Sequence, residues 1–340
     1  MLTAAEVKEY AVRCGADLVG IGDIQRYEGA PPQYDPRYIL PEAKVIIGFG
    51  FRIHRGVFRG IEEGTFFAGY PGMGYSSIND VYAPIVLREV ANLLEDHGYE
   101  AVMYTNTMVR PGLGQGRPVA PGKPRPDIFL HFRIAAFICG LGQIGYNKLL
   151  LTKRFGPRQR LAFIITDAPL QPDPLIEESI CDRCMLCVKE CPAGLISPDK
   201  TEKVTVAGRE IEWGQLDEPR CALLNWTGTP ETNPFLPPDF AELVGRVLRK
   251  PPYPLLDRGL AELIQKMQKE EPGRIDDWSL YVMEKLPYAR RCYEAFHYPP
   301  VFCGARGCIR ACMMHLEEIG KIENTFQAPF RRRPPWTLEG

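Results

Sequence analysis

The stretch Cys181-Asp182-Arg183-Cys184-Met185-Leu186-Cys187-Val188-Lys189-Glu190-Cys191-Pro192 decides how this sequence is interpreted. Its cysteines follow the spacing C-x2-C-x2-C-x3-C-P, in which three closely spaced thiolates bind three corners of one iron–sulfur cubane. The fourth cysteine of such a run is directed at a second cluster, and Pro192 stops the local hydrogen bonding after it. The run therefore predicts two [4Fe–4S] clusters. Zinc is the competing interpretation, but zinc sites use paired C-x2-C knuckles instead of a four-cysteine run.

The remaining ligands must come from cysteines further along the chain. Cys308 and Cys312 repeat the last spacing of the run, although Met313 stands where a proline is expected. Cys221 supplies one further position, with Cys292 as the alternative. The prediction is one cluster on Cys181, Cys184, Cys187 and Cys312, and another on Cys191, Cys221, Cys303 and Cys308. Cys14 and Cys139 lie in apolar helical segments and are predicted to be small buried residues.

Composition and charge bound the class of protein. The 340 residues include eleven cysteines and carry a formal net charge of −1, which gives no general affinity for nucleic acid or anionic membranes. No signal region opens the sequence, and no stretch reaches the ~18 apolar residues of a membrane span. These features predict a cytoplasmic protein with reduced thiols. The run Arg331-Arg332-Arg333 is interpreted as a solvated tail.

Helical and strand periodicities alternate through the first half of the sequence. Helices are predicted at 3–14, 78–97 and 128–139, and strands at 17–22, 44–50, 100–104 and 161–166. In the helix 78–97 the predicted apolar positions are Val81, Ile85, Leu87, Val90, Leu93 and Leu94. This order predicts an α/β domain over 1–175. The remaining predicted units are a ferredoxin-like two-cluster domain over 176–230 and 300–320, a mostly helical insertion over 231–299, and a C-terminal tail over 321–340.

The segment Gly140-Leu141-Gly142-Gln143-Ile144-Gly145 spells G-x-G-x-x-G, and Asp167 follows after about 20 residues. In dinucleotide-binding folds this motif connects a strand to a helix in the first βαβ unit. Here a predicted helix precedes the glycines, and the motif lies in the middle of the domain. Nicotinamide binding is therefore not predicted.

Three blocks of this domain resemble reductive dehalogenases. They are Cys139-Gly140-Leu141-Gly142-Gln143-Ile144-Gly145-Tyr146-Asn147, then Leu151-Thr152-Lys153-Arg154-Phe155-Gly156-Pro157-Arg158-Gln159-Arg160-Leu161, and Thr166-Asp167-Ala168-Pro169-Leu170. Epoxyqueuosine reductases have related Gly-Leu-Gly and Thr-Asp blocks, and residues 15–21 and 40–45 match the same superfamily. The sequence is identified as a divergent member of these corrinoid-dependent iron–sulfur reductases over most of 1–230 and again at 303–312.

The resemblance implies a nitroreductase-like α/β (α+β) domain that holds cobalamin or a related corrinoid without a lower axial protein ligand. Electrons from the clusters would reduce its cobalt, which would then reduce the substrate. Loops at 140–148 and 166–170 are the implied contacts, because glycines let a chain approach a planar macrocycle closely. The implied contact residues are Gly140, Leu141, Gly142, Gln143, Gly145, Tyr146, Asn147, Lys148, Thr166 and Asp167.

The resemblance also implies proton donors. In the dehalogenases a tyrosine assisted by a basic residue protonates the product, which makes Tyr75 and Tyr82 the candidate donors and Arg160 the candidate partner. A neighbouring cation must lower the phenol pKa, ordinarily about 10, before a tyrosine can donate. In epoxyqueuosine reductase the donor is an aspartate upstream of the Gly-Leu-Gly block. Asp127 lies near that place, although its surrounding residues do not match the motif closely.

Two departures limit what the resemblance implies. About 80 residues separate Cys221 from Cys303, far more than in relatives, and Met313-Met314-His315 replaces a proline-containing end. Dehalogenation is therefore not carried over. We expect an oxidoreductase that takes electrons from a low-potential donor such as ferredoxin or flavodoxin and reduces a small-molecule substrate. One alternative is a corrinoid-free iron–sulfur electron-transfer or activator protein. The other is a tRNA-modifying reductase, with a phosphate-binding patch of Arg52, Arg55, Arg59 and the C-terminal arginines.

Overall fold

The computed structural model describes residues 2–106, 117–229, 233, 303 and 305–334. Its helices are α1 (Ala4–Cys14), α2 (Gly56–Glu62), α3 (Gly69–Pro71), a π-helix (Gly72–Tyr82), α4 (Ala83–Asp96), α5 (Phe132–Ile138), α6 (Leu186–Lys189), α7 (Glu218–Thr227) and α8 (Cys308–Glu318). Its strands are β1 (Leu18–Asp23), β2 (Val45–Arg52), β3 (Ala101–Tyr104), β4 (Gln143–Ile144), β5 (Leu150–Leu151), β6 (Gln159–Thr166), β7 (Ile196–Val206) and β8 (Arg209–Leu216). Short 3₁₀ turns occur at Ile24–Tyr27, Pro32–Tyr34 and Pro36–Tyr38.

The central sheet has four antiparallel strands in the order β1-β2-β6-β3. Side chains alternate across it because successive residues of a strand point to opposite faces. On β2, Ile47 and Phe49 pack in the core under α1 and α4, whereas Ile46 faces the core under α5. The sheet is therefore covered by helices on both faces, which explains why its central strands are almost continuously apolar.

Local capping signals fix α1 against this sheet. Thr3 and Glu6 form a capping box, in which the Thr3 hydroxyl accepts from the Glu6 amide and the Glu6 carboxylate accepts from the Thr3 amide. Gly15 ends the helix with a φ of +116°, a conformation that favours glycine. The helix buries Val7 and Ala11, and its length agrees with the prediction for 3–14.

The segment after α3 differs from its prediction. Instead of one α-helix over 78–97, a π-helix runs from Gly72 to Tyr82 and continues as α4. Val86, Leu87, Val90 and Leu94 of α4 are buried, but Val81 and Ile85 are each 55% exposed. Both lie away from the buried stripe: Ile85, within α4, is about 140° around the helix from Val90, and Val81 lies in the π-helical segment.

A β-hairpin made by β7 and β8 was not predicted. Ala207 and Gly208 join its strands with φ values of +51° and +72°, which is typical of a type I′ turn. Val206, Ile211 and Trp213 pack in the core under α5 and thereby attach the hairpin to the central sheet. The alternation of apolar and polar residues over 203–213 was the available signal.

The mixed α/β class is confirmed, and the sequence boundaries of the four central strands were correct to within two residues. The predicted insertion over 231–299 lies outside the described residues, apart from position 233. Within the described part of the chain, no helix is long and apolar enough to cross a bilayer.

Candidate metal centre and the basic site beside it

Four cysteines converge on one cavity and are called the first thiolate group here. Cys181, Cys184, Cys187 and Cys312 all line it, together with Tyr146, Asn147 and His315. Three of these thiols come from the run at 181–187 and one from α8. This is the set that the spacing predicts for the first cluster.

The run reaches this arrangement by two left-handed residues. Arg183 and Met185 have φ values of +56° and +61°, so the chain reverses twice within five residues. The Asp182 carboxylate accepts from the Cys184 amide at 3.2 Å, which holds the first of these turns. Tight winding of this kind brings Cys184 and Cys187 toward the sulfur of Cys181.

The other four cysteines form the second thiolate group. Cys303 lies close enough to Cys308, Cys191 and Cys221 for their charges to act on its thiol. Cys221 is positioned by α7, whose first turn is capped by Asp217, and Cys308 by the first turn of α8. The structure thus brings Cys221 to the place that the sequence assigned to it, while Cys292, the alternative, lies outside the described residues. The two groups adjoin, since Cys187 acts electrostatically on Cys308.

Burial makes these thiols unfavourable places for negative charge. It raises the pKa of Cys187 and of Cys308 to about 12, and that of Cys221 to about 11, with further increases from neighbouring cysteines. Burial also raises the pKa of Cys303 and of Cys312 well above the ordinary value of a thiol. A bound metal would hold four such sulfurs together as thiolates, because it deprotonates its ligands. The donor sets, four cysteines in each group, fit [4Fe–4S] clusters.

The turn between β4 and β5 faces the first thiolate group. The Tyr146 amide donates to the Cys181 sulfur at 3.5 Å. Asn147 is 5% exposed, lines the same cavity, and its Nδ2 has no hydrogen-bond partner within the described structure. A buried donor without a partner is costly, and cluster sulfur is a suitable acceptor. The turn was predicted to contact a corrinoid, but its two N–H donors fit the iron–sulfur site.

Arg160 is the centre of a polar site on the α4 face of the sheet. Its Nε donates to Asn79 Oδ1 at 2.9 Å and its Nη2 to Asn106 Oδ1 at 3.2 Å. The guanidinium lies over the Tyr75 ring at 4.7 Å from the centroid. Tyr70 also hydrogen-bonds Arg160, and burial raises the pKa of its phenol. The predicted pair of Tyr75 and Arg160 is therefore brought together, while Asn79, Asn106 and Tyr70 had no sequence signal.

Two more cations, Arg133 and Lys148, lie near Arg160. The three side chains together are called the basic site. The side chain of Lys148 is buried, forms an ion pair with Glu218, and lies over the Trp213 ring at 4.6 Å. Burial lowers the pKa of Arg133, and its charge acts on Cys221, Cys308 and Arg160. The basic site therefore borders the second thiolate group.

His131 begins α5 at the edge of the basic site. Its Nδ1 accepts from the Ile134 amide at 3.4 Å, so the ring caps the helix. Because Nδ1 is the acceptor, the proton of the neutral imidazole lies on Nε2. Burial, followed by the charges of Arg133 and Lys148, lowers the pKa of His131 to about 4. The ring is neutral at physiological pH.

Two candidate proton donors make their contacts elsewhere. The Tyr82 hydroxyl donates to the Gly15 carbonyl at 3.1 Å, and its ring packs edge-on against Phe51. Asp127 is exposed, has a φ of +62°, and its carbonyl accepts from the Gln33 side chain. Their catalytic roles stay predictions that these contacts do not support.

The glycine block packs against the protein itself. A Cβ on Gly142 would lie 2.2 Å from the Leu151 carbonyl, and one on Gly140 would lie 2.5 Å from the Pro174 carbonyl. A helix precedes the block and the two-residue strand β4 lies within it, an arrangement unlike the strand-to-helix turn of a dinucleotide-binding motif. Close approach within the chain, not to a macrocycle, explains these glycines.

Thr166 and Asp167 lie at the opposite end of β6 from Arg160. Six residues of a strand span roughly 20 Å. The Thr166 hydroxyl accepts from the Ala168 amide, and the Asp167 carboxylate accepts from the Glu100 amide. The predicted corrinoid-contact residues therefore do not form one cradle in the described part of the chain, and their contact with a corrinoid stays a prediction.

Fold and site together define a mixed α/β protein with two adjoining sets of four cysteines beside a basic site. No protein-family model matches the chain. It is 37% identical over 105 residues to a tetrachloroethene reductive dehalogenase from Desulfitobacterium hafniense, covering 28% of this chain and 19% of that protein. It is 30% identical over 106 residues to an epoxyqueuosine reductase from Bacillus anthracis, covering 31% of this chain and 23% of that protein.

Among solved structures, epoxyqueuosine reductase with an epoxyqueuosine-modified tRNA stem loop is similar over 93% of this chain and 82% of that one, with 18% identity and a TM-score of 0.45. The matched segment spans about a fifth of the length of the curated dehalogenases. Over these matched segments the chain is similar both to a reductive dehalogenase and to an epoxyqueuosine reductase, which agrees with the resemblance found in its sequence blocks.

Proposed function

We propose that this chain is an iron–sulfur oxidoreductase of a reducing, cytoplasmic setting that reduces a small organic substrate at the basic site. Each thiolate group would hold one [4Fe–4S] cluster, and bound clusters supply single electrons at low potential. The observation that carries the proposal is the convergence of eight cysteines, distant in sequence, into two groups, the second of which borders Arg133. In this proposal 1–175 forms the nitroreductase-like domain, and 176–230 with 300–320 forms the ferredoxin-like one.

Tyr75 is the proton donor in this proposal. Reduction of an organic substrate consumes protons as well as electrons, and a phenol held beside a guanidinium can supply one. The Arg160 guanidinium lies over the Tyr75 ring at 4.7 Å from the centroid, a cation–π contact that fixes the position of the phenol. Asn79 and Asn106 accept two N–H bonds from Arg160 and keep its guanidinium over the ring. The four side chains therefore act as one unit.

A corrinoid is the further cofactor of this proposal, because relatives in the superfamily are named as dehalogenases and epoxyqueuosine reductases. The residues predicted to hold it do not come together, so its contacts would have to come from other parts of the chain. No chemical step is assigned to it here. If the protein binds no corrinoid, it is the corrinoid-free electron-transfer protein of the alternative. The glycine block favours this alternative, because its glycines pack against the protein's own backbone.

Metal analysis of anaerobically purified, reconstituted protein tests the proposal. We expect about eight irons per chain and the magnetic spectrum of two reduced [4Fe–4S] clusters. One cobalt per chain would show that the protein also binds a corrinoid. Iron without cobalt would support the corrinoid-free alternative. Zinc in place of iron, or only four irons, would remove the proposed function.

A tRNA substrate is the second candidate, and one observation favours it. Arg55 and Arg59 do lie against the C-terminal segment, since Arg59 donates to the Arg331 carbonyl at 2.8 Å. Arg52, the third predicted member of this patch, instead pairs with Asp17. Retention of tRNA that falls steeply with salt would support this candidate, because phosphate binding releases counterions.

A further inference from the structure

A cationic face borders the second thiolate group. It surrounds a cavity of about 400 Å³ whose lining includes Cys191 and Pro192. We call it the C-terminal basic face, and its cations are Arg55, Arg59, Lys189, Arg306, Arg310, Arg331, Arg332 and Arg333. The carboxylates in contact with it are Glu62, Glu63, Glu190 and Glu317. The face is therefore strongly positive on a chain whose net charge is −1.

Arg55 and Arg59 fix the C-terminal segment on this face. The Arg55 guanidinium donates to the Ala328 carbonyl at 3.1 Å and lies over the Phe326 ring at 4.3 Å. Arg59 lies over the Phe330 ring at 5.4 Å. The side chains of Arg331, Arg332 and Arg333 are exposed, as the sequence predicted, but these contacts dock the segment that carries them. Its arginines are consequently held at one place instead of being spread through solvent.

The carboxylates of the face are used internally. Arg310, 7% exposed, forms ion pairs with Glu62 and with Glu190, and Arg332 donates to Glu190 at 2.8 Å. The Arg333 amide donates to Glu62 at 3.0 Å. Lys189 and Arg331 lie outside these pairs and are exposed. The outward charge available to a partner is therefore positive.

We propose that the C-terminal basic face docks an acidic one-electron carrier protein of the ferredoxin or flavodoxin type. This inference rests on the proposed function and adds the place where electrons arrive. A carrier seated over the cavity lies beside Cys191, a ligand of the second cluster. The reduced carrier loses one electron, the iron–sulfur site gains it, and no bond or proton changes. The outward positive charge of Lys189 and Arg331 complements the acidic surface of such a carrier, and charge complementarity of this kind steers the encounter of two proteins.

The test compares charge reversal on the face with reversal elsewhere. The double variant Lys189→Glu, Arg331→Glu removes outward charge, and Arg88→Glu on α4, a 69% exposed side chain, is the matched control. Stopped-flow spectroscopy measures how fast each protein oxidises a reduced two-cluster bacterial ferredoxin. In a separate reaction, dithionite reduces each protein directly, without a carrier protein. We expect at least a tenfold slower reaction with ferredoxin and a weaker salt dependence for the double variant only. Reduction by dithionite should be unchanged in all three proteins.

Two results would overturn the inference. One is an equal ferredoxin rate in the double variant and in the Arg88→Glu control. The other is tight binding of an RNA stem loop to the face, lost in the double variant, without binding of ferredoxin. Titration calorimetry with ferredoxin measures docking independently of electron transfer. A protein that retains no iron but binds ferredoxin through this face would therefore refute the proposed function and leave the docking surface standing.

Discussion

Cys308 and Cys312 lie one helical turn apart on α8, yet their sulfur atoms belong to different thiolate groups. Residues four apart share a helix face. Here that face is presented to both groups at once, because Cys187 adjoins Cys308 as well as Cys312. A single helix therefore connects the two metal centres and fixes the separation between them.

Alanine at these two positions should remove different clusters. Cys308→Ala is expected to lose the cluster of the second thiolate group, and Cys312→Ala that of the first, each leaving about four irons per chain. Iron analysis and low-temperature magnetic spectra of the reduced proteins measure this. Cys139→Ala is the control, because that buried thiol belongs to neither group and donates to the Ile46 carbonyl. Loss of the same signal in both variants would contradict the assignment.

The Arg133 charge should raise the reduction potential of the second cluster, because reduction adds negative charge beside a cation. Arg133→Gln is expected to lower that potential by tens of millivolts, where ~59 mV corresponds to a tenfold change for one electron. Redox titration of each cluster signal measures the change. Arg183→Gln is the control: Arg183 acts on Cys181 of the first group and is already paired with Glu212. Equal shifts of both clusters would count against a local effect.

Asn147 should act on the first cluster. Asn147→Leu removes the N–H donor but keeps a side chain of similar volume, so the cluster potential is expected to fall while iron content is retained. Hydrogen bonds to cluster sulfur raise its potential. The measurement is the same redox titration, and the signal of the second cluster serves as the internal reference. An unchanged first potential would show that the Nδ2 atom finds another acceptor.

Stability should depend on pH through His131. Its folded-state pKa of about 4 lies below the ordinary value, so the unfolded chain binds the proton more readily. Stability is therefore fully present above pH ~6.5 and is lost as pH falls toward 4, by on the order of 3 kcal/mol. His131→Asn keeps a capping acceptor and should flatten this dependence, as measured by urea unfolding at pH 7.5 and 5.0. If the free energy of unfolding fell equally with pH in the wild type and in His131→Asn, the role of His131 would be refuted.

Gly142→Ala should destabilise the fold, since its Cβ would lie 2.2 Å from the Leu151 carbonyl and force the backbone apart. Overpacking of this kind typically costs about 1–3 kcal/mol. Thermal unfolding measures the loss. Gly56→Ala is the matched control, because nothing lies within 4 Å of its added Cβ and alanine favours the α2 helix. If Gly142→Ala were as stable as the control, the glycine would serve a ligand and not packing.

The active-site unit of Tyr75 and Arg160 gives a test of proton supply. Tyr75→Phe is expected to reduce substrate turnover by about 10² to 10⁴, the usual contribution of a positioned acid, without changing cluster content or potential. Tyr82→Phe should have little effect, because its hydroxyl is used by the Gly15 carbonyl. Single-turnover reduction by the pre-reduced protein measures both. A larger loss in Tyr82→Phe than in Tyr75→Phe would reverse the assignment.

Local sequence patterns determined the strands, the capped helix α1 and the chemistry of the cysteine run. Continuous apolar runs and cysteine spacing are short-range properties, so β2, β6 and the first three thiolates could be predicted from the sequence directly. Two-cluster stoichiometry predicted that Cys312 completes the first set, but it left Cys221 and Cys292 as alternatives for the second. The winding of Gly72–Tyr82 could not be predicted, because a π-helix has no distinct apolar period in eleven residues.

Only the tertiary structure decided what surrounds the metal centres. Asn79 and Asn106 carry no signal in the sequence, and Asn147 was predicted to contact a corrinoid instead of the thiolates, since an amide becomes functional through the neighbours that the fold supplies. The glycine block looked like a ligand cradle, but its close contacts are with Leu151 and Pro174. The C-terminal arginines are exposed as the sequence predicted, but cation–π contacts of Arg55 and Arg59 with Phe326 and Phe330 hold the segment that precedes them in place. Spacing along the chain fixes which ligands exist, whereas charge and hydrogen bonding around them depend on contacts between distant residues.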